Sequence, residues 1–98
     1  MARLNWTDLS LEDLINIAEF ISKDSPKYAV IQIKRIRERA KILKKQPFLG
    51  RIVPETQNES IRELILGNYR IIYRIISNDR IDILTVHHSA RLLKNELQ

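Results

Sequence analysis

The sequence predicts an α+β domain: a helical hairpin packed on one face of a mostly antiparallel four-stranded sheet, in the order β-α-α-β-β-β with a short helical pattern at the C-terminus. Two observations carry this. Apolar residues recur at helical spacing as far as Gln46 and in short runs rich in Ile after Ser60, so the period changes once. Two turn signals, Gly67-Asn68 and Asn78-Asp79, then divide the second half into three strands. With no repeat, low-complexity tract or linker, residues 1–98 read as a single domain.

Taken in order, Arg3-Leu4-Asn5-Trp6 is short but suited to a strand, with Trp6 as a core aromatic. Leu11, Leu14, Ile15, Ala18 and Ile21 form the apolar stripe of a first helix over about 9–22, with Asp8 or Ser10 as its cap. Ser25 and Pro26 start a second helix, where the missing N–H of proline costs nothing, and it runs to about Lys45 on the stripe Ala29, Ile33, Ile36, Ala40 and Leu43. Residues 46–60 carry Pro47, Gly50 and Pro54 and no period, and cross as a loop to strands at about 61–66, 69–77 and 80–87. Ser89 to Leu97 has the pattern of a short amphipathic helix.

Two-residue turns set a register, because residues paired across strands share a face. Ile65 then pairs with Arg70, Ser77 with Arg80 and Arg70 with His87. One face collects Leu64, Leu66, Tyr69, Ile71, Tyr73, Ile75, Leu84 and Val86 and belongs to the core. The other collects Ile61, Glu63, Ile65, Arg70, Ile72, Arg74, Ile76, Ile81, Ile83, Thr85 and His87, too apolar for water and too charged for a core, and so expects a partner. A one-residue slip in the second hairpin would instead set His88 beside Arg70.

Composition excludes several classes. A chain of 98 residues buries about two thirds of its unfolded surface, so any active site is shallow. Sixteen Ile with few Gly and Pro argue against disorder, and the absence of Cys excludes disulfides and thiolate metal sites and suits a reducing cytoplasm. The longest apolar run, Tyr28-Ala29-Val30-Ile31, is far below the roughly 18 residues that span a bilayer, and Met1–Asn5 lacks a secretory pattern, so neither membrane insertion nor export is expected. The net charge of +5 is uneven: −3 over residues 1–26, +8 over 27–51 and 0 over 52–98. Lys34, Arg35, Arg37, Lys41, Lys44 and Lys45 thus form a basic surface that attracts polyanions or acidic protein, or else a solvated helix face.

Several segments carry a family resemblance: Ile21-Ser-Lys-Asp-Ser-Pro-Lys-Tyr-Ala29, Leu43-Lys-Lys-Gln-Pro47, Leu49-Gly-Arg-Ile-Val-Pro-Glu55, Ile61-Arg-Glu-Leu64, Gly67-Asn-Tyr-Arg-Ile-Ile-Tyr73 and Ile83-Leu-Thr-Val-His-His-Ser-Ala-Arg-Leu-Leu93. In this order they resemble the RelE/ParE superfamily, the toxins of type II toxin-antitoxin systems. The two long helices and the His-Ser-Ala-Arg-Leu-Leu ending are more similar to ParE-like members. The resemblance implies inhibition of DNA gyrase, as for ParE-like members, or, as the alternative, ribosome-dependent cleavage of mRNA, as for RelE-like members. It also implies a cognate antitoxin with an acidic or amphipathic C-terminal segment. No membrane partner, metal or cofactor is expected.

In ribonuclease members an arginine of the Tyr-Arg-Ile-Ile-Tyr strand handles the scissile phosphate, which gives Arg70 a catalytic role if this chain is a nuclease. His87, opposite it, would then exchange the 2′-OH or leaving-oxygen proton, and otherwise bonds its ring to backbone. Arg70 otherwise pairs with Glu63 or, with Glu63, Ile72, Arg74, Ile76, Ile81 and Ile83, contacts antitoxin or target. Arg51 and Glu55 bracket the crossing loop near where some family nucleases place an acid or base. Arg62 is expected to snorkel or stack on Tyr73.

Overall fold

The computed structural model describes residues 1–88, so the helical pattern at Ser89–Leu97 lies outside the described residues. The elements are β1 (Arg3–Trp6), α1 (Asp8–Ser22), α2 (Pro26–Lys41), a 3-10 turn (Ile42–Lys44), β2 (Arg51–Ile52), β3 (Ile61–Leu66), β4 (Tyr69–Ser77) and β5 (Arg80–His88). They form one sheet in the order β1-β5-β4-β3-β2, with β1 parallel to β5 and the other pairs antiparallel. The class is α+β as predicted. The sheet has five strands instead of four, because Arg51 and Ile52 of the crossing loop pair with Glu63 and Arg62.

The start of α1 differs from expectation in its cap. Thr7, in extended conformation, accepts a bond from Ser10 N–H and donates its own hydroxyl hydrogen to Ile83 O (2.7 Å). One side chain therefore caps the helix and ties it to β5, a tertiary reason that neither Asp8 nor Ser10 could satisfy. Ser25 caps α2 with Pro26 in its first turn, as read from the sequence. The α-helical part of α2 ends at Lys41, and the tighter 3-10 turn takes up the residues assigned to its end.

The larger core lies between the sheet and the helices, and includes Leu14, Ile36, Leu43, Ile71, Tyr73, Ile81 and Ile83. A second, smaller core lies on the far face, where Val53 of the crossing loop covers Ile61 and Ile72, with Leu84 packed against them. Tyr73 fastens that loop: its phenol accepts from Gly50 N–H (2.9 Å) and donates to Pro47 O (2.8 Å). Gly50 is required by close approach, since a Cβ there would lie 2.5 Å from Glu63 O and 2.6 Å from the Tyr73 hydroxyl. Arg62 stacks over Phe48 at 5.1 Å, not over Tyr73, and bonds Gly50 O (3.0 Å).

Two irregularities correct the expected faces. The second hairpin starts at Ser77↔Arg80 and ends at Arg70↔His87, as anticipated. Between these points Ile75 faces Ile81 and Tyr73 faces Ile83, because Ile76 is extra on β4 and Leu84 extra on β5. The two bulges cancel, so register is restored at Ile72↔Thr85. Within the shifted stretch Ile81 and Ile83 turn into the main core, while Leu84 moves to the far face.

Candidate functional site

The far face of the sheet is closed by the chain itself. Val53 seals Ile72, and the polar residues beside it form an ion network under the crossing loop. Glu63 on β3 has no exposed side-chain area and receives Arg51 Nε at 2.6 Å from β2 and Arg70 Nε at 2.8 Å from β4. Arg70 Nη2 makes a further, very short bond to the same carboxylate. The fork of Arg70 also donates to both oxygens of Glu55, at 3.0 and 3.1 Å. Two carboxylates therefore meet the guanidinium from two sides, a geometry that the planar, permanently charged fork suits. Hydrogen bonding to Glu55 holds Arg70 above the ordinary arginine range against the opposing effect of desolvation.

His87 is the Cα partner of Arg70, as predicted from the turns, and is buried. Its neighbour His88 is exposed, with its ring edge-on to Tyr69 at 5.8 Å. The structure thus brings Arg70, Glu63 and His87 together and adds Arg51 and Glu55. It does not leave them open: Glu63, Arg70 and His87 are all buried.

The contact surface expected on this face is corrected for the same reason. Ile72, Ile81 and Ile83 are completely buried, Ile72 under Val53 and the other two among the helices, and Glu63 and Arg70 are enclosed by the ion network. Of the seven residues expected to meet a partner, only Arg74 and Ile76 remain at the surface, at the far end of β4.

Beyond Ile65 and Ile76 on the sheet, a further exposed apolar surface lies on the helices. The outward side of the helical hairpin carries a groove of about 650 Å³, lined by Ala18, Ala29, Val30 and Ile33 and rimmed by Lys34, Arg37, Glu38 and Lys41, the last two ion-paired at 3.0 Å. It continues along α1 past Leu11 and Ile15. Val30 is 70% exposed and Ile15 57%, unusual values for large aliphatic side chains grouped on one surface. The signal was present in the sequence: α1 holds Leu9, Leu11, Leu14, Ile15, Ile17, Ala18, Phe20 and Ile21, more than one stripe can bury.

The basic residues do not share one face. Lys34, Arg37 and Lys41 border the helical groove, Arg37, Lys41 and Lys44 face β1, and Arg35 lies beside Tyr28 and Gln32 near the Gly67-Asn68 turn. Lys45 is exposed beyond the 3-10 turn. Among the described residues no helix is long and apolar enough to cross a membrane.

This arrangement matches known proteins over nearly its whole length. The family model of the ParE toxin of type II toxin-antitoxin system, parDE, matches residues 4–93. The protein "Putative toxin Y4kP" of Sinorhizobium fredii is 38% identical over 89 residues, covering 89% of this chain and 88% of that protein. A chain of the chromosomal ParDE TA system from P. aeruginosa superposes with a TM-score of 0.74 at 24% identity, over 90% of this chain and 96% of that one, which establishes a common fold.

Proposed function

This chain belongs to the ParE toxin family of type II toxin-antitoxin systems, and on that footing we propose that it acts by inhibiting DNA gyrase and is neutralised by a cognate antitoxin. The observation that carries a non-enzymatic reading is the state of Arg70. Its fork is filled by Glu55 and Glu63, so a phosphodiester would have to displace a bidentate carboxylate and enter beside a second one. Like-charge repulsion and the loss of those bonds both oppose that entry. His87, the other residue expected of a nuclease, is covered as well. A protein so arranged acts through contact rather than through cleavage.

The antitoxin surface follows from the apolar groove on the helical hairpin. An amphipathic helix lying there would set side chains at i, i+3/i+4 and i+7 against Leu11, Ile15, Val30 and Ile33. Its carboxylates would reach Lys34 and Arg37 on the rim, where Lys41 is already paired with Glu38. This replaces the sheet face that the sequence pointed to.

The test is to add the purified protein to a gyrase supercoiling assay and, separately, to a coupled translation reaction. The expected result is loss of supercoiling with accumulation of cleaved gyrase-DNA complexes, while mRNA stays intact. Cuts in mRNA at ribosome-bound codons would overturn the gyrase reading and establish the nuclease alternative.

A further inference from the structure

A groove of about 500 Å³ lies where α2 meets the Gly67-Asn68 turn. Tyr28, Gln32 and Arg35 stand at i, i+4 and i+7 of α2, so they line up along one face of the helix, and Leu66 and Tyr69 border the groove from the strands. Gln32 is the telling residue. It is only 7% exposed, yet its side-chain amide makes no hydrogen bond among the described residues. A buried amide without a partner is costly, and this one keeps its access to solvent through the groove that it lines. Arg35 is exposed and has no ion pair, and no acidic side chain lines the groove among the described residues. Burial pushes the Tyr69 phenol above its ordinary value of 10.0 and the nearby Tyr28 adds to the rise, so Tyr69 keeps its proton at neutral pH and can donate.

We propose that this groove binds an adenine mononucleotide, its base held by Tyr28 and Gln32 and its phosphate by Arg35. The amide of Gln32 sets one donor and one acceptor side by side, the pattern that matches N7 and the 6-amino group of adenine. Tyr28, 47% exposed, offers an open ring on which a base can stack. The planar fork of Arg35, free of carboxylates, suits a phosphate. The volume falls in the range of about 300–1,000 Å³ usual for small-molecule sites, whose apolar lining carries a few convergent polar groups as this one does. A bare anion would leave Gln32 unsatisfied, and a neutral sugar would leave Arg35 without a counter-charge. The groove shares no lining residue with the one assigned to the antitoxin, so the nucleotide site holds or fails independently of the proposed target and of its inhibition.

The test is calorimetric titration of the full chain, without gyrase or antitoxin, using adenosine monophosphate as the probe. Saturable one-to-one binding is expected. Inosine monophosphate, which carries an acceptor oxygen where adenine has its amino donor, should bind about tenfold or more weakly, because Gln32 can then satisfy only one of its two bonds. Adenosine without its phosphate should lose a similar factor through Arg35. Gln32→Leu and Arg35→Gln should each weaken adenosine monophosphate by about tenfold or more as well. A flat titration, equal binding of the inosine and adenosine nucleotides, inorganic phosphate binding as tightly as adenosine monophosphate, or tighter binding of an octathymidylate in the same buffer would each overturn the proposal. The ligand comparisons use the unaltered protein, so a Gln32→Leu chain that misfolds does not blunt the test.

Discussion

At the scale of single residues, Glu63 is the most deeply enclosed charge among the described residues. Its side chain is fully enclosed and serves Arg51 and Arg70 together, so removing it leaves Arg70 short of a partner inside the fold while Arg51 simply returns to solvent. Breaking a buried pair from one side costs about 3 to 5 kcal/mol. Because Arg70 keeps Glu55, Glu63→Ala is expected at the lower end, roughly 3 kcal/mol by urea unfolding. Arg51→Ala, whose side chain is 66% exposed, should cost less than about 1 kcal/mol. Equal losses for the two variants would contradict the network as described. Tyr73 gives a second residue-scale prediction, through pH. Burial pushes its phenol above the ordinary tyrosine value of 10.0. The unfolded chain therefore releases this proton first as pH rises, and above about pH 10 the folded state binds more protons than the unfolded one. Stability from this group is complete below pH 10 and is lost from there upward. Unfolding free energies measured between pH 8 and 11 should fall at the alkaline end. Tyr73→Phe should flatten part of that slope, Tyr69 being raised by burial too, while costing roughly 1–3 kcal/mol at neutral pH because Gly50 N–H and Pro47 O lose their partner.

At the scale of elements, the helical hairpin is the part of the fold with unfinished packing. Val30→Glu places a carboxylate on a side chain that is already 70% exposed, so the change in folding stability should stay within about 0.5 kcal/mol. The same substitution sets a charge in the groove proposed for the antitoxin helix, and binding measured by calorimetry should weaken about tenfold or more, roughly 1.4 kcal/mol, since Lys34 one turn on can partly pair the new carboxylate. The elements themselves were largely legible. Ser25-Pro26, Gly67-Asn68 and Asn78-Asp79 carry their local physics in two residues each, and each marks a real boundary. Register at the ends of the second hairpin was legible for the same reason. The bulges at Ile76 and Leu84 were not, because no turn chemistry encodes them. Thr7 bonds Ile83 O across the fold, and such distant contacts accompany the shifted stretch that turns Ile81 and Ile83 inward. β2 was invisible for a related reason: two residues without a period become a strand only by lying against Arg62 and Glu63. The site suffered from the same blind spot. Arg70, Glu63 and His87 were correctly grouped, but a bidentate Glu55 arriving from the crossing loop depends on how that loop packs, and it turns an expected contact surface into a buried network.

At the scale of the whole molecule, the apolar content exceeds what one small sheet can hide. With 44% hydrophobic residues and both sheet faces partly covered, one by helices and one by the crossing loop, much of the surplus appears on the outer side of α1 and α2. A ligand that covers this surplus binds the folded state and not the unfolded one, so it must stabilise the whole domain by mass action. At a free antitoxin concentration one hundred times Kd the gain is about 2.7 kcal/mol. For a domain of this size each kcal/mol raises Tm by roughly 4–8 °C, so a shift of roughly 10–20 °C is expected on adding the cognate antitoxin. Where that stabilisation is seated can be read from variants. Ile15→Glu or Val30→Glu should reduce the shift if the helical groove is the contact. Ile76→Ala should leave it intact, since Ile76 stands at the far end of β4, the part of the sheet surface still exposed where a partner had been expected. A shift that survives both groove variants at full size but disappears with Ile76→Ala would return the antitoxin to the sheet, and the exposed face of the hairpin would then need a different partner.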